Sequence, residues 1–373
     1  MKTATVVFGG PSNEHDISIL TGLQCERLLA RAGVAVSPIY WDRTQRWHLV
    51  SNETEARDYL DGPPPSSTEL ELRVGSEPGF YKRQRFGAKR FDGGPILNCM
   101  HGGAGEGGGA QSLFELLHVP ATGGTVYSAS LCMDKLAFAA VAALAGVPTL
   151  PRLLVTQHSD RPSFEGPFIV KPRFGGSSIG IEVVEDFEAA QTLAGGGVAF
   201  RAGAVLEPYR TDLFDINLAF RTYPSFEISA IERPIRSGGS IYSFTEKYLH
   251  TSGLTNAPRE LPARISDDLT ARMHSHSATL AAHLGITGIV RLDYLTDGVT
   301  LFANEANSIP GAMAIFLWTD DDASQVLLDA LAEAETLADF SSQIDRGKGE
   351  ALRAAGGIAG KLSGLPANRR RQR

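Results

Sequence analysis

The N-terminal part of the chain alternates short apolar runs with stretches of helical periodicity, and this order of elements constrains the fold most. Strand-like runs cover residues 3–8, 34–40 and 95–100, and helical periodicity covers residues 17–32 and 111–117. Strands separated by helices typically form a parallel sheet with helices on its faces. We therefore predict an N-terminal α/β domain.

The rest of the sequence predicts two smaller mixed modules, so the expected fold class is α/β and α+β. Residues 51–94 are polar, contain three consecutive prolines and predict a surface excursion, and residues 128–146 predict one helix. A chain of 373 residues suits two or three domains of about 100–200 residues each. The expected division is 1–126, 127–220, 221–345 and a disordered tail, 346–373.

Composition narrows the class of protein. With 43% hydrophobic and 21% charged residues, the chain has the composition of a soluble globular protein. A formal net charge of −7 argues against a nucleic-acid partner. No apolar stretch approaches the roughly 20 residues that span a membrane, and no signal-peptide pattern opens the sequence, so we expect no membrane association and a cytoplasmic protein. The widely spaced Cys25, Cys99 and Cys132 are expected to be core thiols.

A hairpin across residues 290–307 carries the most informative side chains. Residues two apart on a strand share a face, so Arg291 lies beside Asp293 and Glu305 beside Asn307. Pairing the two strands would gather two carboxylates, an amide and a guanidinium, which is the ligand chemistry of a magnesium site. A surface salt-bridge ladder is the alternative.

Three glycine-rich loops follow apolar runs. Residues 170–180 place Lys171 before a glycine-rich turn, which suits phosphate binding, although an ordinary hairpin is the alternative. The loops at residues 9–16 and 101–109 precede helices and could offer backbone amides to anions. The Walker A and dinucleotide-binding glycine patterns are absent. After the hairpin, the turn at Gly311 can bring its amide close to a substrate oxygen.

Taken together, these motifs resemble the D-alanine–D-alanine ligase family of the ATP-grasp superfamily. The resemblance covers residues 3–340 approximately and follows the family's order: GGPSNEHDIS, HGGAGE, MDK, IVKPRFGGSSIG, VLEPY, EKY, RLDY and NEANSIPG. It implies an ATP-grasp fold of three domains, with the nucleotide between the central and C-terminal domains. It also implies ATP-dependent joining of two small amino acids through an acyl phosphate, two Mg²⁺ ions (Mn²⁺ being possible) and a homodimer.

The resemblance also implies roles for residues at the nucleotide and the metals. The implied nucleotide-binding residues are Lys135, Lys171, Glu207, Tyr209, Asp215 and Lys247. The three lysines would contact the phosphates of ATP. Glu207 and Asp215 would bind the adenine amine and the ribose, and Tyr209 would line the pocket for the base. The implied metal ligands are Asp293, Glu305 and Asn307. Alternatively, Lys135 is a solvated charge at the start of a helix, and Asp215 is a surface carboxylate.

A further set is implied to act on the amino acids: Glu14, His101, Ser177, Tyr248, Arg291 and Gly311. Glu14 would bind the first ammonium and form a hydrogen-bonded set with the serine and the tyrosine, and the histidine would lie near the first carboxylate. The arginine and the Gly311 amide would stabilise the oxyanion. Alternatively, Tyr248 only packs against its neighbours, and His101 is only a turn residue. A loop at residues 233–262 is the candidate lid.

Two departures from the family pattern concern the second amino acid. Gly107 stands where the family has an acid, and Phe316 stands where a serine hydroxyl holds the acceptor's carboxylate. Losing such a hydroxyl costs about 1.5–3 kcal/mol unless another group replaces it. Three hypotheses follow: a D-alanyl-D-alanine ligase, a paralogous ligase with another acceptor, and a noncatalytic nucleotide-binding protein. The complete set of lysines and metal ligands disfavours the third.

Overall fold

A computed structural model describes residues 1–235, 258–341 and 352–353 of the chain. The strands are β1 (Thr3–Gly9), β2 (Ala35–Trp41), β3 (Trp47–Leu49), β4 (Thr68–Arg73), β5 (Gly79–Arg83), β6 (Ala88–Phe91), β7 (Ile96–Asn98), β8 (Leu153–Val155), β9 (Phe168–Pro172), β10 (Glu182–Val184), β11 (Ala204–Pro208), β12 (Phe214–Arg221), β13 (Glu227–Ile228), β14 (Arg233–Pro234), β15 (Arg259–Glu260), β16 (Ile289–Thr296) and β17 (Leu301–Asn307). The helices are α1 (His15–Arg31), α2 (Gly103–Glu106), α3 (Gly109–Leu116), α4 (Val126–Met133), α5 (Lys135–Leu144), α6 (Phe187–Gly196), α7 (Asp267–Leu284) and α8 (Ala323–Ser341). Short 3₁₀ segments lie at Ala56–Tyr59, Val198–Phe200 and Gly311–Leu317.

The N-terminal sheet is mixed and runs in the order β6-β5-β4-β3-β2-β1-β7. β1 pairs in parallel with β2 and β7, as the alternation of strands and helices predicted, and the other pairs are antiparallel. The prediction of a surface excursion at residues 51–94 is wrong, because β4, β5 and β6 extend this sheet. Leu70 of β4 and Phe80 and Tyr81 of β5 are buried.

Close packing of α1 on β1 fixes the loop between them. A Cβ at Gly22 would lie 2.4 Å from the ring of Phe8, so only glycine allows the helix to approach the strand this closely. The loop between β1 and α1 contains Glu14 and is therefore held against the sheet's carboxyl edge. Cys25 and Cys99 are buried here, and Cys132 is buried in a second core, so the expectation of core thiols is confirmed.

Two antiparallel four-stranded sheets follow. One has the order β10-β9-β11-β8, and the other has the order β13-β12-β16-β17. The predicted boundary at residue 220 falls within β12, which pairs with β16, and the domain boundaries themselves stay a prediction. α7 begins at the Ser266 cap, whose side chain accepts from the Leu269 amide, and it ends at Gly285 in a left-handed conformation.

The single helix predicted over residues 128–146 is wrong, because two helices occupy this range. α4 ends at Asp134, whose side chain caps α5 by accepting from the Leu136 amide, and the two helices meet at 103°. This bent pair alone among the described helices matches a membrane span in length and composition, and no single described helix does. The bend brings Lys135, the first residue of α5, to the cleft described next.

Candidate active site

One cleft of about 290 Å³ is lined by strands of both four-stranded sheets and by the N-terminal loops. The predicted site residues that line it are Glu14, His101, Lys135, Lys171, Ser177, Glu207, Tyr209, Asp215, Arg291, Asp293, Glu305, Asn307 and Gly311. Lys247 and Tyr248, together with most of the proposed lid, lie outside the described residues. The structure thus brings together every predicted site residue that it describes.

The hairpin of β16 and β17 has the register that the sequence suggested. Asp293 pairs with Glu305, and Arg291 pairs with Asn307. The Arg291 guanidinium donates to both oxygens of Asp293, at 2.6 and 2.8 Å, and the Asn307 amide nitrogen lies 3.2 Å from one of them. All four side chains line the cleft, so a surface salt-bridge ladder does not describe them. On β12, Asn217 pairs with Asp293 and extends this polar row.

Asp293, Glu305 and Asn307, which we call the acidic row, present oxygen atoms of the kind that a magnesium ion binds. Two carboxylates and an amide on neighbouring strands form an all-oxygen set, which Mg²⁺ prefers. Two half-buried carboxylates side by side are costly unless cations neutralise them. Among the described residues, no group of three or more histidine, cysteine and acidic side chains is placed to hold a metal ion, so a magnesium set here needs the amide of Asn307 beside the two carboxylates. Asp293, Glu305 and Asn307 therefore fit magnesium.

A buried ion-pair cluster lies in the cleft around Lys171 and Glu207. The Lys171 ammonium is 2.8 Å from one Glu207 oxygen, and the Arg152 guanidinium is 2.9 Å from the other. Glu207 has no exposed surface, and its two cationic neighbours hold the pKa of its carboxyl below the usual range despite burial. Arg152 also donates to the backbone carbonyls of Lys135 and Asn304, so it joins three elements. No sequence pattern had pointed to Arg152.

Lys135 is buried at the start of α5, so it is not the solvated helix-start charge that the sequence left open. Its ammonium donates to the Gly175 carbonyl at 2.5 Å, within the glycine-rich loop. Burial lowers the pKa of this lysine. The preceding Asp134 accepts two hydrogen bonds from Arg173, at 2.9 and 2.6 Å, which anchors the loop to α5. Tyr209 and Asp215 line the cleft nearby.

The glycine-rich loop also reaches the N-terminal loop. Ser177, which has a left-handed backbone with φ 53°, donates a short hydrogen bond to Glu14. Glu14 is packed so closely against Gly102 that a Cβ there would lie 2.5 Å from its carboxylate. Two members of the predicted Glu14, Ser177 and Tyr248 set are therefore in contact. The predicted role of this set in binding the first amino acid stays a prediction.

His101 connects the N-terminal loops to the turn that contains Gly311. Its Nδ1 lies 2.8 Å from the Ile309 carbonyl, and its Nε2 lies 2.9 Å from the Thr21 hydroxyl. Because the carbonyl can only accept, Nδ1 carries the proton and Nε2 accepts from the hydroxyl. Burial lowers the pKa of His101 to about 4. A neutral imidazole therefore positions the Ile309 end of this turn.

This burial predicts a pH dependence of stability. Between pH 6.5 and 4 the unfolded chain binds a proton at His101 while the folded chain does not, so stability falls as pH falls through this range. Relative to His101→Asn, we expect the wild type to lose up to about 3 kcal/mol of unfolding free energy over this range. Urea unfolding of ligand-free protein measures this difference. The control is His274→Asn, at an exposed position of α7. A difference in unfolding free energy between wild type and His101→Asn that does not change with pH would contradict the prediction.

Glu106, at the end of α2, is a buried acid that the sequence analysis did not single out. It accepts hydrogen bonds from the Gly102 amide at 2.9 Å and the Ile309 amide at 3.4 Å. Burial and the nearby charges of Glu14 and Glu305 raise its pKa to about 8. Its position within HGGAGE was the only available signal. Glu106 and His101 thus bind the amide and the carbonyl of the same residue, Ile309.

The glycine at position 107 has a packing explanation. A Cβ there would lie 2.9 Å from the Gly103 carbonyl and 3.4 Å from the Met133 side chain. An acidic side chain at this position would require the backbone of α2 to shift. The departure at Gly107 therefore follows from how tightly this loop packs on α4.

Known proteins resemble this chain over most of its length. The family models described as D-ala D-ala ligase N-terminus and D-ala D-ala ligase C-terminus match residues 3–124 and 154–321. The D-alanine--D-alanine ligase of Wolinella succinogenes is 29% identical over 318 residues, covering 84% of this chain and 89% of its own. That of Campylobacter concisus is 29% identical over 332 residues, covering 88% and 91%.

A solved structure shows the same architecture. The D-alanine-D-alanine ligase from Helicobacter pylori superposes with a TM-score of 0.71 at 25% identity, covering 90% of this chain and 98% of that one. The mixed sheets and helices described above are therefore the ATP-grasp fold of a ligase. More narrowly, the two matched models show that the chain belongs to the D-alanine–D-alanine ligase family.

Proposed function

We propose that this protein joins two molecules of D-alanine into D-alanyl-D-alanine at the expense of ATP, for cell-wall synthesis. The observation that carries the proposal is the convergence of the acidic row, the buried lysines and the Glu14–Ser177 pair on one cleft. The family relatives favour D-alanine over another acceptor. A noncatalytic role is disfavoured because the cleft keeps its cations and its acidic row.

The first half of the proposed reaction activates a carboxylate. An oxygen of the first D-alanine attacks the γ-phosphorus of ATP, ADP departs and an acyl phosphate remains. Lys135 and Lys171 line the nucleotide end of the cleft, where their ammonium groups would neutralise phosphate charge. Glu14 is the proposed partner of the ammonium of this D-alanine. Magnesium held by Asp293, Glu305 and Asn307 would supply further neutralisation of phosphoryl charge when bound.

The second half forms the peptide bond. The amine of the second D-alanine attacks the acyl carbon and loses a proton, and phosphate leaves with the former carboxylate oxygen. Arg291 and the Gly311 amide line the same end of the cleft and are proposed to stabilise the oxyanion. His101 contacts the Ile309 carbonyl and Glu106 accepts from the Ile309 amide, which supports a role for both in positioning the nearby Gly311 amide.

Release of ADP by purified protein with Mg-ATP and a panel of D- and L-amino acids, singly and in pairs, tests this function. We expect D-alanine alone to stimulate release and to yield the dipeptide, which mass spectrometry would identify. Stimulation only by pairs without D-alanine would reject the proposal, and no stimulation by any pair would favour a noncatalytic protein.

We propose a cytoplasmic homodimer with the nucleotide bound between the central and C-terminal domains, whose boundaries are those expected from sequence. The buried Lys171–Glu207 pair supports the nucleotide position, because β9 and β11 of the central sheet supply it and Asn304 of β17 lies 3.5 Å from the lysine. Sedimentation of the purified protein would test the dimer.

A further inference from the structure

A cation lies over an aromatic ring at the end of the cleft that contains Gly311. The Arg259 guanidinium carbon is 4.6 Å from the centroid of the Phe316 ring, and its Nη1 is 3.1 Å from a Glu232 oxygen. Arg259, Glu232 and Phe316 all line the cleft. None of these contacts follows from a motif in the sequence.

The surrounding structure fixes this guanidinium in place. Arg259 lies on β15, where it pairs with Pro234 of β14, and its side chain is only 17% exposed. Glu232 is 6% exposed and exchanges two backbone hydrogen bonds of 2.8 Å with Asn217. Asn217 pairs in turn with Asp293 of the acidic row. A chain of contacts through Glu232 and Asn217 therefore connects Arg259 to Asp293.

The acceptor needs a partner of this kind. Its amine must reach the acyl carbon near Gly311, so its own carboxylate lies within the same end of the cleft. A carboxylate that leaves water is costly unless it is paired with donors or a cation. Phe316 offers no donor at the position where the sequence led us to expect a hydroxyl. The planar fork of an arginine matches a carboxylate better than any other side chain.

We propose that Arg259 binds the carboxylate of the acceptor and is the specificity-determining residue for it. The acceptor is then a small α-amino acid with a free carboxylate, as the proposed function requires. Phe316 supports the guanidinium plane and Glu232 orients it. This inference rests on the proposed function, and it explains how the substitution at position 316 is compatible with D-alanine as acceptor.

A competition between two acceptors tests the inference. The enzyme receives Mg-ATP with equal concentrations of D-alanine and D-alaninamide, and mass spectrometry measures the ratio of dipeptide to dipeptide amide. D-Alaninamide has no carboxylate and cannot act as donor, so both products share one donor and the ratio reports the acceptor alone. We expect the wild type to favour the dipeptide and Arg259→Gln to shift the ratio about 10- to 100-fold towards the amide.

Two further variants control this result. Arg233→Gln removes the same charge from the paired strand β14, where Arg233 lies over the Phe214 ring and does not line the cleft, and it should leave the ratio unchanged within about twofold. Arg259→Lys keeps the charge without the fork and should give an intermediate ratio.

The outcomes separate the two proposals. If the wild type yields neither product with any amino acid pair, the proposed function fails, and the inference fails with it. If the wild type makes dipeptide but Arg259→Gln lowers both products equally at an unchanged ratio, Arg259 is only structural and the inference alone is overturned. A wild type that shows no preference for the acid over the amide would overturn it as well.

Discussion

Glu305→Gln is expected to lower ADP release by about 10³-fold, because one of the two carboxylates of the acidic row loses its charge. Glutamine preserves the size of the side chain, so the hairpin register of Asp293 with Glu305 should remain. The loss should appear in kcat and in the magnesium concentration required for half-maximal rate. A coupled ADP assay across magnesium concentrations measures both.

The matched control for this variant is Glu69→Gln, the same change at an exposed position of β4. It should leave both kinetic parameters unchanged. Thermal unfolding would show whether each variant is folded. Folded Glu305→Gln protein that retains activity within tenfold of the wild type would contradict the assignment of this side chain to metal binding.

Arg291→Lys is expected to lower kcat by about 10²- to 10³-fold while the KM for ATP changes little. Lysine keeps the positive charge but cannot donate simultaneously to both Asp293 oxygens, as the guanidinium does at 2.6 and 2.8 Å. If the oxyanion meets this guanidinium, the loss falls on the chemical step. Steady-state kinetics with ATP and D-alanine varied in turn separates kcat from each KM.

Arg272→Lys provides the control, since Arg272 pairs with Asp268 on the exposed face of α7. We expect this variant to retain wild-type kinetics. An Arg291→Lys enzyme that loses thermal stability but keeps its kcat would show that Arg291 serves only to hold Asp293.

Short-range patterns predicted which side chains meet on the hairpin of β16 and β17. The two-residue spacing of Arg291 with Asp293, and of Glu305 with Asn307, fixes which side chains share a face. The Asp-Gly turn at residues 297–298 predicted that the two strands form a hairpin, whereas the pairing of Asp293 with Glu305 depends on a register shift between Asp293 and Tyr294 that the sequence did not indicate. Strand periodicity and turn chemistry are local properties, so they can be read directly from sequence.

The polar composition of residues 51–94 led to the wrong prediction of a surface excursion. β4, β5 and β6 form one edge of the N-terminal sheet and bury only a few side chains, Leu70, Phe80 and Tyr81 among them, while most other positions are partly or fully exposed. Their sequence therefore resembles a loop. The break at Asp134 has a local signal, because this aspartate caps the following helix through the Leu136 amide, and the prediction of one helix overlooked it. Arg173, which pairs with Asp134, lies 39 residues further along the chain.

The residues that sequence reasoning missed are those held by long-range contacts. Arg152 reaches Glu207 from a segment before β8, and Glu106 reaches the Ile309 amide across about 200 residues. Arg259 gains its place from Phe316 and Glu232, each on a separate element. These charges meet only through tertiary packing, so no periodicity or spacing in the sequence predicts their contacts.

The acyl phosphate is the central claim, and the fate of one oxygen tests it most directly. The enzyme would be given Mg-ATP and D-alanine labelled with ¹⁸O in its carboxylate, and the released phosphate would be analysed by mass spectrometry. Activation of the carboxylate by ATP predicts that each phosphate carries one ¹⁸O atom. Dipeptide formation with unlabelled phosphate would contradict the account.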